Sequence, residues 1–343
     1  MIEQAIGRLL ILAPAALATF LLSLILIVAL RPWLVRRALA RPNARSSHRV
    51  PTPQGGGIAV VIATFTVAWA AIALWPSLAH NNRALLLTVT AAAALLTAVG
   101  AIDDMRPMPE APRLLLQFIA VGAVIAALPG DLRAMPQLPW TIERVCLFFG
   151  MVWLVNLVNF MDGIDWMTVA EVVPIASALT LLGVCGTIES LPALLAAALL
   201  GAMAGFAPFN KPVARLFLGD AGSLPIGLLL GWLLLALAGA GHLAAALILP
   251  LYYLADTTVT LARRIMRREP FWQAHRTHFY QRATDNGFTV PGIVMRVLVV
   301  NLALAALALI SVTAHNPLVS LAALAGGGAI VAWLLATFAR RRR

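Results

Sequence analysis

The chain has 343 residues, of which 61% are hydrophobic and only 11% charged. Soluble domains run at about 45–50% apolar and about 25% charged, so this composition excludes a water-soluble globule. The net charge is +11, carried almost wholly by arginine. In a membrane protein such an excess is first a topology signal, and no nucleic-acid partner is expected.

A transmembrane helix needs about 20 mostly apolar residues. Apolar runs between polar breaks predict eleven spans, at 9–30, 57–75, 84–102, 114–129, 145–160, 168–187, 191–207, 222–240, 243–262, 291–313 and 317–338. The first run is too long for a cleavable signal, and no small-residue cleavage site follows it. The connecting segments then alternate between two sides. One side takes 31–56, 103–113, 161–167, 208–221, 263–290 and the tail from 339. The other takes the N-terminus, 76–83, 130–144, 188–190, 241–242 and 314–316. Of the 25 Lys and Arg residues, 21 fall on the first side, counting the adjoining Arg296, and 4 on the second, namely Arg8, Arg83, Arg133 and Arg144. Positive residues stay in the cytoplasm, so the first side is expected there, with a periplasmic N-terminus and a cytoplasmic C-terminus. The expected fold is an all-α polytopic membrane protein forming one domain over 1–343, with the lipid bilayer as its constant partner. The residues are compatible with a homodimer. Cys146 and Cys185 have no metal-binding spacing and give no disulfide framework.

The acids are distributed unevenly. Asp103 and Asp104 end the third span, Asp162 and Asp165 end the fifth, Asp220 precedes the eighth, and Asp256 lies in the cytoplasmic half of the ninth. A lone acid in such a place is most simply a solvated loop residue. Several carboxylates converging on one face repel each other unless a cation neutralises them, and hard oxygen ligands at a phosphate-accessible surface point to magnesium.

In the segment Asn156-Leu157-Val158-Asn159-Phe160-Met161-Asp162-Gly163-Ile164-Asp165, polar residues recur every three positions. That spacing puts Asn156, Asn159 and Asp162 on one helix face. Asn156 serves equally well as glue between helices. Leu218-Gly219-Asp220-Ala221-Gly222-Ser223 reads as a tight turn feeding a helix N-terminus, a place that favours phosphate. Asp220 makes sense there if a metal stands between carboxylate and phosphate. The segment 270–282 carries His275, Arg276 and His278 among aromatic residues. It lacks a third soft ligand for zinc and suits donation to a pyrophosphate, or an interfacial loop resting on head groups. The segment 41–57, with its prolines, glycines, arginines and His48, cannot be helical and suits an anionic ligand or a plain connector.

Taken together, five ordered motifs resemble the polyprenyl-phosphate N-acetylhexosamine-1-phosphate transferase family, of the WecA and WbpL type and more distantly the MraY type. They are R-P-N-x-R-S-S-H-x-x-P-T-P-x-G-G-G from Arg41, the Asp103-Asp104 pair, N-x-x-N-x-x-D-G-x-D from Asn156, L-G-D-x-G-S from Leu218, and the His-rich last loop. The resemblance implies transfer of a sugar 1-phosphate from a UDP-N-acetylhexosamine to undecaprenyl phosphate, releasing UMP, with Mg2+ (or Mn2+) as cofactor. It implies that Asp220 is a metal ligand with Asn159, and that Asp103 or Asp104 is the proton acceptor or nucleophile. Asp165 would contact the uracil side of the nucleotide, Asp162 would bind substrate, and His275, Arg276, His278 and His48 would hold diphosphate or sugar. The last loop reads His-Arg-Thr-His rather than consecutive histidines, which argues against a muramoyl-pentapeptide substrate. It favours the O-antigen subgroup and UDP-GlcNAc or UDP-FucNAc. A transporter would place acids at mid-membrane, and an intramembrane aspartyl protease would leave most of these acids without a role.

Overall fold

The computed structural model describes residues 2–40, 51–79, 82–269 and 276–341. The chain begins with α1 (Ile2–Arg37) and a two-residue strand β1 (Leu39–Ala40). This strand pairs antiparallel with β2 (Thr52–Pro53), Leu39 opposite Pro53. Then come α2 (Gly57–Leu74), α3 (Arg83–Met105), α4 (Glu110–Ala127), α5 (Trp140–Met161), α6 (Met167–Cys185), α7 (Ser190–Asn210) and α8 (Asp220–Gly239). The chain closes with α9 (Leu243–Ile248), α10 (Leu251–Met266), α11 (Phe279–Asp285), α12 (Val290–Thr313) and α13 (Pro317–Ala339).

Among the described residues, ten helices are long and apolar enough to cross a membrane. The protein is an all-α, multi-pass membrane protein. The expected span 243–262 differs from the others, because it is broken into α9 and α10. Pro250, which has no N–H to donate, stands at the break as the N-cap of α10, whereas Pro14, Pro32, Pro174, Pro208 and Pro225 are each carried inside a continuous helix. The second half starts afresh, with Leu254 N donating to Pro250 O at 2.9 Å.

The central helix is α8, with 89% of its apolar window buried, against 28% for α1, α4 and α13 at the periphery. Apolar side chains give little drive for helices to associate in lipid, so close packing must come from small residues. Such contacts recur here. A Cβ on Gly201 of α7 would stand 2.0 Å from the Ala16 carbonyl oxygen of α1, and one on Gly57 of α2 would stand 2.0 Å from Gly222 Cα of α8.

The two sets of connecting segments separate to opposite ends of the bundle. At one end, Gly57 meets Gly222, Gly100 meets Asp220, and Gly163 meets Tyr280. At the other, Arg8, Asn82, Gly186 and Glu189 line a common pocket. Cys146 and Cys185 are free thiols.

Candidate active site

The site is built where α8 begins. Gly219, at φ +76°, turns the chain into the helix, a conformation that L side chains rarely adopt. A Cβ there would also press on Asp104 Oδ2. Asp104 explains that closeness. Its Oδ1 accepts from Asp220 N at 3.0 Å and its Oδ2 from Ala221 N at 3.2 Å. The first amides of a helix lack intrahelical partners, and here a side chain of α3 satisfies two of them. Gln54 fixes the same corner, donating from Nε2 to Asp104 O at 2.6 Å. The Gly55–Gly57 segment closes over it, with Gly56 N bonded to Phe217 O and Gly57 N to Leu218 O, both at 2.9 Å.

Asp103 faces the other way. Its Oδ1 accepts from Met108 N at 2.5 Å, and its Oδ2 accepts from Arg113 Nη1 at 2.9 Å. The same Arg113 nitrogen lies 3.3 Å from Asp220 Oδ2. The Asp103 and Asp220 carboxylates face each other within hydrogen-bonding reach. On its other side, Asp220 Oδ1 accepts from Asn159 Nδ2 at 2.7 Å, and Asn159 also reaches Ser223 Oγ at 2.9 Å. Thus the ends of α3, α5 and α8, with the first turn of α4, meet in one half-buried pit.

Asp162, just beyond α5, is braced by the Thr168 hydroxyl, which donates to its Oδ1 at 2.5 Å. Burial pushes the Asp162 carboxyl up to about 7; the Thr168 hydroxyl opposes this, and the charges of Asp220 and Asp165 add to it. Asp165 is set apart. It is buried, and its Oδ2 accepts from Ala214 N at 2.9 Å, tying the end of α5 to the segment before α8. The following Trp166 has φ +63°. That conformation is held by Trp166 N donating to Asn210 Oδ1 and Trp166 Nε1 donating to Ala207 O, both at 2.7 Å. Asn156 proves to be helix glue, donating to Gln117 Oε1 of α4 at 2.7 Å.

The last loop is anchored by Asp256, which is fully buried on α10. Its carboxylate accepts from Phe279 N at 3.0 Å and Tyr280 N at 3.2 Å, and its Oδ1 lies 3.2 Å from His278 Nδ1. Tyr280 then donates to Phe160 O at 3.1 Å, so α11 rests on the end of α5. Arg276, which precedes α11, turns toward that helix and donates to Thr284 Oγ1 at 3.1 Å. His48 and His275 lie outside the described residues.

The structure therefore gathers Asp103, Asp104, Asp220 and Asn159, sets Asp162 beside them, and gives Asp165 and His278 buried partners of their own. Arg113 was legible only as positive charge. A cation in the first turn of a helix opposes the helix dipole, and that misfit was the available signal. Among the described residues, no three His, Cys, Asp or Glu side chains form a ready-made metal cage. Two facing carboxylates and an amide are instead an all-oxygen-capable set of the kind that holds a hard divalent ion together with substrate phosphates.

A helical bundle that presents facing carboxylates and a bridging arginine at one end is an integral-membrane protein with a charged, half-buried site at the ends of its helices. The sequence comparisons make this specific. Residues 85–238 match the family model for glycosyl transferase family 4. The phospho-N-acetylmuramoyl-pentapeptide-transferase of Streptococcus pneumoniae (strain 70585) is 30% identical over 285 residues, covering 75% of this chain and 85% of that protein. The probable undecaprenyl-phosphate N-acetylglucosaminyl 1-phosphate transferase of Bacillus subtilis (strain 168) is 24% identical, covering 79% of this chain and 77% of that one. The chain belongs to this family of membrane phosphosugar transferases.

Proposed function

We propose that the protein transfers an N-acetylhexosamine 1-phosphate from a UDP-sugar to undecaprenyl phosphate. The products are undecaprenyl-pyrophosphoryl-sugar and UMP, the first step of an O-antigen or related cell-envelope polysaccharide. The observation that carries this reading is the meeting of Asp103 and Asp220 around Arg113, with Asn159 behind. These residues come from four separate helices, and nothing in packing an apolar bundle requires them to converge. The reaction would run at the cytoplasmic face of a bacterial inner membrane, where the 21 basic residues of that side favour anionic substrates and lipids.

The transfer fits a single displacement. An oxygen of the lipid phosphate attacks the sugar-bearing phosphorus, a new P–O–P linkage forms, and UMP leaves with the electron pair of the broken bond. Of the aspartate pair, Asp103 is the better candidate to orient the lipid phosphate or take its remaining proton. Both oxygens of Asp104 are already committed to α8. Arg113 would carry negative charge developing on the phosphoryl oxygens, in a reaction where positioning and charge neutralisation do most of the work. Asp220 with Asn159 would hold magnesium (or manganese), whose chemistry when bound is Lewis-acid screening of the diphosphate. Asp165 would serve the nucleotide side, Asp162 would bind substrate, and Arg276 and His278, with His48 and His275, would serve the diphosphate and sugar. The His-Arg-Thr-His order supports UDP-GlcNAc or UDP-FucNAc over the muramoyl-pentapeptide nucleotide.

The test is UMP release by the purified protein with undecaprenyl phosphate and a panel of UDP-sugars, with and without magnesium. Release with an N-acetylhexosamine nucleotide, abolished by Asp220→Asn, is expected. Release undiminished by that variant would overturn the assigned site, and phosphosugar trapped on the protein without lipid acceptor would overturn the single displacement.

A further inference from the structure

Inside the bundle lies a second set of polar groups that this reaction does not use. Glu171 sits on α6, one turn beyond Thr168, and is 1% exposed. Its Oε2 accepts from Asn301 Nδ2 of α12 at 2.6 Å, and the same nitrogen reaches Ala170 O at 2.9 Å. Tyr253 of α10 directs its backbone N–H at Glu171, and its phenol stands beside the Thr168 hydroxyl. Thr257 follows one turn later on α10, so it shares a face with Tyr253. An ionisable residue buried within a membrane bundle is costly and rarely without purpose.

Among the described residues, Glu171 Oε1, Asn301 Oδ1 and Thr257 Oγ1 are buried with no hydrogen-bond partner within the protein. The node sits directly behind the site, because the Thr168 hydroxyl beside Tyr253 is the group that braces Asp162 at 2.5 Å.

We propose that Glu171 is a positioning residue. With Asn301 and Tyr253 it forms a polar node that locks α10 and α12 against α6. Through Tyr253 and Thr168 the node holds the Asp162 carboxylate in place. The kinetic consequence rests on the proposed transferase reaction; the structural consequence does not.

Hydrogen exchange and kinetics on the full-length protein in detergent separate the two. E171Q turns an acceptor into a donor, and Y253F removes one O–H. Both variants are expected to speed amide exchange across 163–170 by roughly tenfold and leave the start of α8 unchanged. In turnover, KM for the UDP-sugar should rise roughly tenfold while KM for undecaprenyl phosphate stays put, the mark of lost substrate positioning. The double variant T168V/E171Q should be no worse than T168V alone, since both act along one path. Unchanged exchange at 163–170 in the folded variants, or additive losses in the double variant, would overturn the proposal. If E171Q fails to fold, Y253F decides. If the wild-type protein shows no transfer, the exchange measurement still decides, and the failure then belongs to the proposed reaction.

Discussion

The Asp104 carboxylate at the end of α3 accepts from the backbone N–H groups of Asp220 and Ala221, at 3.0 and 3.2 Å. Two adjacent aspartates therefore do different work: Asp104 holds the start of α8 in place, while Asp103 looks into the pit. Removing a side-chain cap costs about 0.5–2 kcal/mol. Asp104→Ala should lower thermal stability in detergent by about that much and lose activity as α8 shifts. Asp103→Ala should lose activity with its unfolding midpoint little changed. Paired denaturation and UMP-release assays check this, and equal destabilisation by both variants would contradict the division of labour.

Arg113 bridges Asp103 and Asp220 at 2.9 and 3.3 Å. Arg113→Ala should reduce turnover by about 10²-fold, the scale of losing one charge-stabilising donor in a preorganised site. Arg113→Lys should recover part of that loss, because a point charge keeps the electrostatics and loses the planar geometry. Initial rates at saturating substrate provide the measurement.

Asp162 has a carboxyl pushed up to about 7, chiefly by burial. A carboxyl raised on folding stabilises the fold while neutral, so its contribution is full below its unfolded value of about 4 and is lost as pH rises through about 7. In chelator, the unfolding midpoint should therefore fall between pH 5 and about pH 8. Asp162→Asn should flatten that slope, and added magnesium should reduce it by supplying positive charge nearby. A slope identical in wild type and variant would place its origin elsewhere.

Gly100 of α3 passes so close to α8 that a Cβ would stand 2.2 Å from the Asp220 carbonyl carbon. The obstacle is backbone, which cannot swing aside like a side chain. Gly100→Ala should destabilise the protein by about 1–3 kcal/mol and abolish transfer by displacing Asp220. Gly7→Ala, where no atom lies within 4 Å, is the matched control and should do neither.

Much of the architecture was readable from the residues because each span must satisfy its backbone internally and present apolar side chains to lipid. The acidic helix ends, and the arginines that choose their side, were visible for the same reason. The broken span at Pro250 was hidden because a proline alone does not mark a break in this chain, where Pro14, Pro32, Pro174, Pro208 and Pro225 lie inside continuous helices; the drop in hydropathy after Leu254 was the available warning. Asp165 and Asp256 look like the pit-forming acids when read as letters. Only the surrounding amides, Ala214 N for one and Phe279 N and Tyr280 N for the other, reveal them as anchors.

Hydropathy and charge act locally along the chain, so sequence by itself determined that this protein is a multi-pass helical bundle with most of its aspartates collected at one end. Which of two neighbouring aspartates faces into the pit, which arginine bridges it to Asp220, and where a buried glutamate finds its partners depend on contacts between residues far apart in the chain. The Asp103–Asp220 pairing and the Glu171–Asn301 bond exist only once α3 lies on α8 and α6 on α12. Tertiary packing decided those points, because a carboxylate's role is set by the donors that reach it rather than by its place in the sequence.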